Sequence, residues 1–117
     1  MSKKILIIDD DQDIRSYLGD LFGDNGYETV MAEDGAVAME VVTAEKPDLI
    51  TLDLEMPGEW GPRFYRKLSQ SDEFKRTPVI VISGLQANKY AIPKAIATLT
   101  KPFDAEELLR IVKDTIG

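Results

Sequence analysis

The chain has 117 residues, of which 44% are hydrophobic and 30% charged, a composition that is ordinary for one globular domain with its own core. It contains no cysteine and no histidine, which excludes disulfides, thiolate chemistry, a histidine general base and zinc sites built from these residues. The formal net charge of −7 repels nucleic acid and anionic membranes, so we expect neither as a direct partner.

The sequence contains no membrane or targeting signal that we recognise. No apolar stretch approaches the roughly 20 residues that span a bilayer, and the apolar run after Lys3-Lys4 is too short for a signal peptide. Repeats and linker-like segments are also absent. We therefore expect residues 1–117 to form a single domain in the cytoplasm.

The first half of the chain predicts strand, helix, strand and helix. Residues 4–8 are an apolar strand that ends at three acids, and apolar side chains then recur at helical spacing from Ile14 to Phe22. Asn25-Gly26 supplies a left-handed helix stop. Residues 27–32 form a second strand, and Asp34 can cap a helix that ends near Glu45.

The third strand, residues 48–52, is an apolar run that ends at Asp53. It lacks polar alternation, which is typical of a parallel strand buried on both faces. Gly61-Pro62 then begins a helix with proline in its first turn, where a missing N–H is tolerated, and that helix continues through Leu68.

The remaining segments continue the alternation. Residues 78–82 form a fourth strand that ends at Ser83, and residues 97–100 form a fifth that ends at Lys101. Between them, residues 86–96 are weakly helical, so we predict a shortened or irregular fourth helix. Asp104 and Glu107 form a capping box for the last helix.

Five strands alternating with five helices predict an α/β fold with a doubly wound parallel sheet. Right-handed crossovers leave few topologies, and the flavodoxin-like order 2-1-3-4-5 makes strands one and three neighbours at the edge where such sheets bind ligands. We therefore expect polar groups far apart in sequence to converge there: Asp9, Asp10, Asp53, Ser83 and Lys101.

Three carboxylates brought close together would repel one another. Mg²⁺ prefers oxygen ligands and relieves that repulsion. Together with Lys101, the metal could neutralise a phosphoryl group arriving at Asp53, with the Ser83 hydroxyl contacting one of its oxygens. A carboxylate can act as the nucleophile in such a transfer and become an aspartyl-phosphate.

Each feature alone has a plainer interpretation. An acidic run after a strand is most often a solvated loop or a helix cap, and Asp53 could simply begin a turn. Ser83-Gly84 resembles an ordinary loop, and a lysine before proline is usually a surface charge. The hypothesis depends on the fold placing all of them at one edge.

These residues resemble the receiver domain of two-component response regulators over essentially the whole chain. The likeness depends on four segments, at residues 5–11, 53–58 with Gly61, 78–84 and 100–103, which read ILIIDDD, DLEMPG, PVIVISG and TKPF.

The resemblance implies a role for each site residue. Asp53 corresponds to the phosphoacceptor, and Asp9 and Asp10 to acids that bind Mg²⁺ or Mn²⁺. Glu55 corresponds to the residue whose backbone carbonyl completes the metal site. The switch hydroxyl and the phosphoryl-binding lysine correspond to Ser83 and Lys101, and a cis bond is expected before Pro102.

The resemblance also implies partners. A histidine kinase or a histidine phosphotransfer protein would donate the phosphoryl group, and phosphorylation would change binding to a downstream protein, with a phosphorylation-dependent dimer left open. The domain would be a signalling module and not an enzyme.

Two features depart from the family pattern. Thr98 stands where the family usually has Tyr or Phe, three residues before the lysine, which puts the usual aromatic switch in doubt. Pro93 interrupts the predicted fourth helix. Trp60, just past the phosphoacceptor loop, can pack over the third helix or contact a kinase.

Three other functions compete with the receiver hypothesis. A pseudo-receiver would bind partners without phosphorylation, and Thr98 favours it. A small phosphohydrolase of the haloacid dehalogenase type could use Asp53 as its nucleophile, although that family has a larger body. A flavodoxin-like FMN carrier would need a first loop rich in hydroxyls and glycine, where this chain has three aspartates at residues 9–11.

Overall fold

The computed structural model describes residues 2–56, 61–84 and 95–117. Five parallel strands form one sheet in the order β2-β1-β3-β4-β5. The strands are β1 (Lys4–Ile8), β2 (Glu28–Ala32), β3 (Leu49–Leu52), β4 (Val79–Ser83) and β5 (Ala97–Thr100). In the described residues the helices are α1 (Gln12–Asp24), α2 (Gly35–Glu45), α3 (Gly61–Ser69) and α4 (Ala105–Ile116).

The predicted fold class, strand order and alternation are confirmed. The predicted fourth of five helices, at residues 86–96, falls almost entirely on residues 85–94, outside the described part of the chain, as does Pro93. Trp60 also lies outside the described residues. The helix numbered α4 here is therefore the last of the five that the sequence predicts.

Some predicted strand limits shift by one residue. Tyr27 donates its backbone N–H to Phe22, so it closes the end of α1 and β2 begins at Glu28. Pro78 accepts a hydrogen bond from Ile50 but precedes β4, whereas Ser83 pairs with Thr100 and extends β4 by one residue. These one-residue shifts change neither the order nor the parallel direction of the strands.

Each face of the sheet has its own hydrophobic core because side chains alternate along the strands. On one face, Leu6 and Ile8 of β1 pack with the buried residues of α2 and α3, which include Val42 and Phe64. On the other face, the core contains Ile5 and Ile7 of β1 with buried residues of α1 and α4. Helices therefore cover both faces of the sheet. Because side chains on both faces of β1, β3 and β4 are buried, these strands are almost wholly apolar.

Aspartates cap three of the helices. Asp11, Asp34 and Asp104 precede α1, α2 and α4 and accept hydrogen bonds from backbone N–H groups of the first turn, which a helix cannot satisfy internally. Asp34 and Asp104 were predicted as caps. The α1 helix ends at Asp24, and Gly26 has the predicted left-handed backbone, with φ of 88°.

No helix in the described ranges is long and apolar enough to cross a membrane.

Candidate functional site

The site is built from the residues that follow the central strands. Asp9 lies directly after β1 and Asp53 directly after β3, and the ladder of backbone hydrogen bonds continues through both. The Asp53 N–H donates to the Ile8 carbonyl at 3.0 Å, and the Asp9 N–H donates to the Ala32 carbonyl at 3.2 Å. The ends of β2, β1 and β3 are therefore tied together at the level of the two carboxylates.

Asp9, Asp10 and Asp53 form an acidic cluster in which one carboxylate oxygen from each residue lies within 4.8 Å of the others. Asp9 and Asp53 are each only 2% exposed, whereas Asp10 is exposed. The cluster thus opens to solvent on the Asp10 side.

Lys101 supplies a positive charge to this cluster. Its ammonium lies 2.8 Å from Asp9 Oδ2 and 3.6 Å from Asp53 Oδ2. Its backbone N–H donates to the carbonyl of Ser83 at 2.9 Å, so the end of β4 fixes where the lysine leaves the sheet. The Lys101-Pro102 peptide bond is cis, as expected.

Burial and neighbouring charges shift the pKa values of both partners. Burial raises the pKa of Asp53 to about 6. The charges of Asp9 and Asp10 also raise this pKa, whereas the hydrogen bond from the Glu55 N–H and the charge of Lys101 lower it. For Lys101, burial lowers the pKa, but the hydrogen bond to Asp9 and the nearby carboxylates outweigh it, so the pKa is raised overall. Lys101 is therefore cationic at neutral pH.

The oxygen ligands of the acidic cluster fit a hard divalent cation. Mg²⁺ takes carboxylate oxygens and retains several waters, and the exposed Asp10 side leaves room for solvent ligands. Among the described residues, the three carboxylates outnumber the nearby cations Lys101 and Arg15, and a dication would offset the remaining negative charge.

Of the other predicted site residues, Ser83 and Glu55 lie at the same edge as the cluster, whereas Thr98 lies within β5. Ser83 is fully buried at the end of β4. The Glu55 N–H donates to Asp53 Oδ1 at 3.0 Å, and the Glu55 side chain is exposed, with its carboxylate beside Gly84. Thr98 is exposed on β5, opposite Val81 of β4.

Three further residues shape the site in ways that were not predicted from the sequence. Asp11, the third acid of its run, turns away to cap α1. Gly61 packs so tightly under the Asp53 loop that a Cβ there would lie 2.7 Å from the Asp53 carbonyl oxygen. Arg15 donates to the carbonyl of Asp9 at 2.6 Å. The Asp11 cap had a local signal, whereas the other two contacts depend on the tertiary fold.

Comparison with known proteins agrees with this geometry. The model of the response regulator receiver domain family matches residues 5–113. Protein Rrf1 of Nitratidesulfovibrio vulgaris is 38% identical over 112 residues, which cover 96% of this chain and 81% of Rrf1. Sporulation initiation phosphotransferase F of Bacillus subtilis is 36% identical over 116 residues, covering 97% of this chain and 93% of that protein. The solved structure of the chemotaxis response regulator CheY4 of Vibrio cholerae superposes with a TM-score of 0.86 at 26% identity, covering 99% of this chain and 100% of that one.

Proposed function

Because this chain belongs to the response regulator receiver domain family of two-component systems, we propose that it accepts a phosphoryl group on Asp53 from a phosphohistidine. The donor would be a histidine kinase or a histidine phosphotransfer protein. The observation that carries the proposal is the buried Asp53 carboxylate beside Asp9 and Asp10, with the ammonium of Lys101 3.6 Å from its Oδ2.

Each residue of the site has a part in the transfer. Asp9, Asp10, Asp53 and the backbone carbonyl of Glu55 would bind Mg²⁺ or Mn²⁺, which when bound supplies positive charge at the phosphoryl oxygens. Lys101 would contact another phosphoryl oxygen once it moves off Asp9, and the Ser83 hydroxyl would donate to a third.

In the transfer, a carboxylate oxygen of Asp53 attacks the phosphorus atom. The new P–O bond forms as the P–N bond to the donor histidine breaks. The imidazole leaves with the electron pair of that bond and takes a proton from solvent. Because the nucleophile is an acidic carboxylate, the step needs no general base, which agrees with a chain that contains no histidine.

The signal would leave the domain through a shift between two existing conformations. Ser83 would move toward the phosphoryl group and change the surface near β5 and α4, to which a downstream protein would bind in the cytoplasm. Since Thr98 is small and exposed, the readout would not use an inward-turning aromatic ring. We propose that residues 1–117 form a single receiver domain.

Acetyl phosphate tests the proposal without a cognate kinase. The protein is incubated with acetyl phosphate and Mg²⁺ and its intact mass is measured, with Asp53→Asn as the matched control. We expect one phosphoryl adduct on the wild type, none on Asp53→Asn, and none on the wild type when EDTA removes the metal. Lys101→Ala should remain folded and accumulate less adduct.

The same assay separates the competing functions. Absence of both an adduct and Mg²⁺ binding would contradict the proposal and support a binding module that works without phosphorylation, which the exposed Thr98 favours. Steady turnover of many small phosphate esters would instead indicate a hydrolase.

A further inference from the structure

The backbone and side chain of Asp9 are fixed from four directions. Its N–H donates to Ala32, Oδ1 accepts from the N–H of Asp11 at 2.9 Å, and Oδ2 accepts from Lys101 at 2.8 Å. The fourth contact is the hydrogen bond from Arg15 Nη1 to the Asp9 carbonyl at 2.6 Å. Of the four, only the Arg15 contact acts on the peptide group that links Asp9 to Asp10.

That peptide group determines where Asp10 points. A peptide unit is planar and rigid, so a hydrogen bond that fixes the Asp9 carbonyl oxygen also fixes the N–H of Asp10 at the opposite end of the unit. Asp10 is exposed, and the structure records no side-chain hydrogen bond or ion pair for it in the described residues. Its position in the cluster therefore depends on the backbone that precedes it.

Arg15 is well placed to act as a rigid support. It is the fourth residue of α1, and its own N–H donates to the carbonyl of Asp11, which caps the helix. Its side chain is half-buried and lines a shallow groove with Met31, Ala32, Glu33 and Val37. Charge-assisted hydrogen bonds of this kind are shorter and stronger than neutral ones. The contact thus connects helix α1 to the acid-bearing loop.

We propose that Arg15 is a positioning residue for the metal site: it orients the Asp9–Asp10 peptide so that both carboxylates are preorganised to bind the divalent cation. This inference depends on the function proposed above, since it concerns the same metal. It makes a prediction opposite in sign to that of simple electrostatics. A cation close to the cluster repels Mg²⁺, so removing its charge alone would tighten metal binding, whereas removing a positioning contact weakens it.

The experiment is calorimetric titration of the unphosphorylated protein with Mg²⁺. We expect Arg15→Ala to bind Mg²⁺ about 10-fold to 100-fold more weakly, the range found when residues that orient metal ligands are removed. Arg15→Lys should be intermediate, because an ammonium keeps the charge but loses the planar fork. Arg110→Ala, which removes the same charge from an exposed position on α4, should leave the affinity unchanged.

Acetyl phosphate provides a second readout. For Arg15→Ala, the Mg²⁺ concentration that gives half-maximal phosphorylation should rise by the same factor as the dissociation constant, and the rate at saturating Mg²⁺ should stay near that of the wild type. A general loss of folding would lower the saturated rate too. Thermal melts of each variant verify the fold.

The outcomes separate the two proposals. A wild type that binds no Mg²⁺ would overturn the proposed function itself. A wild type that binds Mg²⁺, with Arg15→Ala binding equally or more tightly, would overturn the role of Arg15 alone. If Arg15→Ala does not fold, Arg15→Lys decides: weaker binding supports the positioning role, and unchanged binding overturns it.

Discussion

Asp53 is a carboxylate in a place that opposes its charge. It is buried, and Asp9 and Asp10 lie beside it, so its pKa is raised to about 6 even though Lys101 and the N–H of Glu55 stabilise the anion. The position is unfavourable for the metal-free protein, but it suits the proposed function, in which a dication and a phosphoryl group would surround this carboxylate. The requirements of the proposed function and of folding stability therefore conflict at Asp53.

This conflict predicts how Asp53→Asn changes stability in the absence of metal. The folded protein binds the Asp53 proton more tightly than the unfolded chain does, so the wild type loses stability as pH rises from 3.8 to about 6, and the loss persists above that range. Asparagine removes the effect. We expect Asp53→Asn to be more stable at neutral pH by on the order of 3 kcal/mol, as measured by urea unfolding in EDTA.

The pH dependence is the sharper part of this test. The difference in unfolding free energy between Asp53→Asn and the wild type should grow through the acid range and become constant above about pH 6. Glu40→Gln, a change at an exposed carboxylate on α2, should show no such growth. A difference for Asp53→Asn that is flat from acid to neutral pH would contradict the burial argument.

At the residue scale, the sequence predicts which residues lie at the site better than it predicts which of them contact one another. Asp9, Asp10, Asp53 and Lys101 were found because strand ends can be recognised from apolar runs. The sequence could not show that Lys101 lies closer to Asp9 than to Asp53, because that depends on side-chain packing at the end of β5.

Among the elements, α3 packs closely against the loop that follows Asp53. It begins at Gly61, where a Cβ would lie 2.7 Å from both the Asp53 carbonyl oxygen and the Leu54 Cα. Those are backbone atoms, which cannot move aside without displacing the end of β3. The helix can approach the loop after Asp53 this closely only because residue 61 has no side chain.

Substituting two glycines tests this junction. We expect Gly61→Ala to destabilise the protein by about 1–3 kcal/mol, as overpacking typically does, and to slow phosphorylation because the Asp53 backbone moves. Gly23→Ala on α1, where a Cβ would meet nothing within 4 Å, should instead stabilise it by about 0.5 kcal/mol through helix propensity. Chemical denaturation measures both, and equal effects of the two substitutions would contradict the close-packing argument.

Element limits were predictable where the chain carries its own signals. The caps at Asp34 and Asp104 and the stop at Gly26 were identified from residue type and position, and the structure has them there. The start of β2 was misplaced by one residue because Tyr27 donates its N–H to Phe22, a contact that belongs to the end of α1. Such competition between adjacent elements is decided by hydrogen-bond geometry that the sequence does not encode locally.

At the scale of the molecule, topology makes the site. The order β2-β1-β3-β4-β5 sets the ends of β1 and β3 side by side, and β5 returns Lys101 to the same edge. Residues 9, 53 and 101 thus meet although they are far apart in the chain. This convergence follows from the alternation of strands and helices and was predictable. The contact of Arg15 with the Asp9 carbonyl was not predictable, because it joins a helix side chain to a backbone carbonyl.

The fold also gives the three carboxylates different surroundings. Asp9 is hydrogen-bonded to Lys101 and to Asp11, and Asp10 is exposed, whereas Asp53 combines burial with a raised pKa. Although all three acids lie in one cluster, we therefore expect only Asp53 to become phosphorylated.

The most direct test of this claim is to locate the acyl phosphate. The protein is phosphorylated with acetyl phosphate and Mg²⁺, then reduced with borohydride, which converts a phosphorylated aspartate to homoserine, and its peptides are sequenced by mass spectrometry. The account predicts homoserine at residue 53 and unchanged aspartate at residues 9 and 10. Homoserine at residue 9 or 10 in the wild type, or at no residue of a folded protein that binds Mg²⁺, would contradict it.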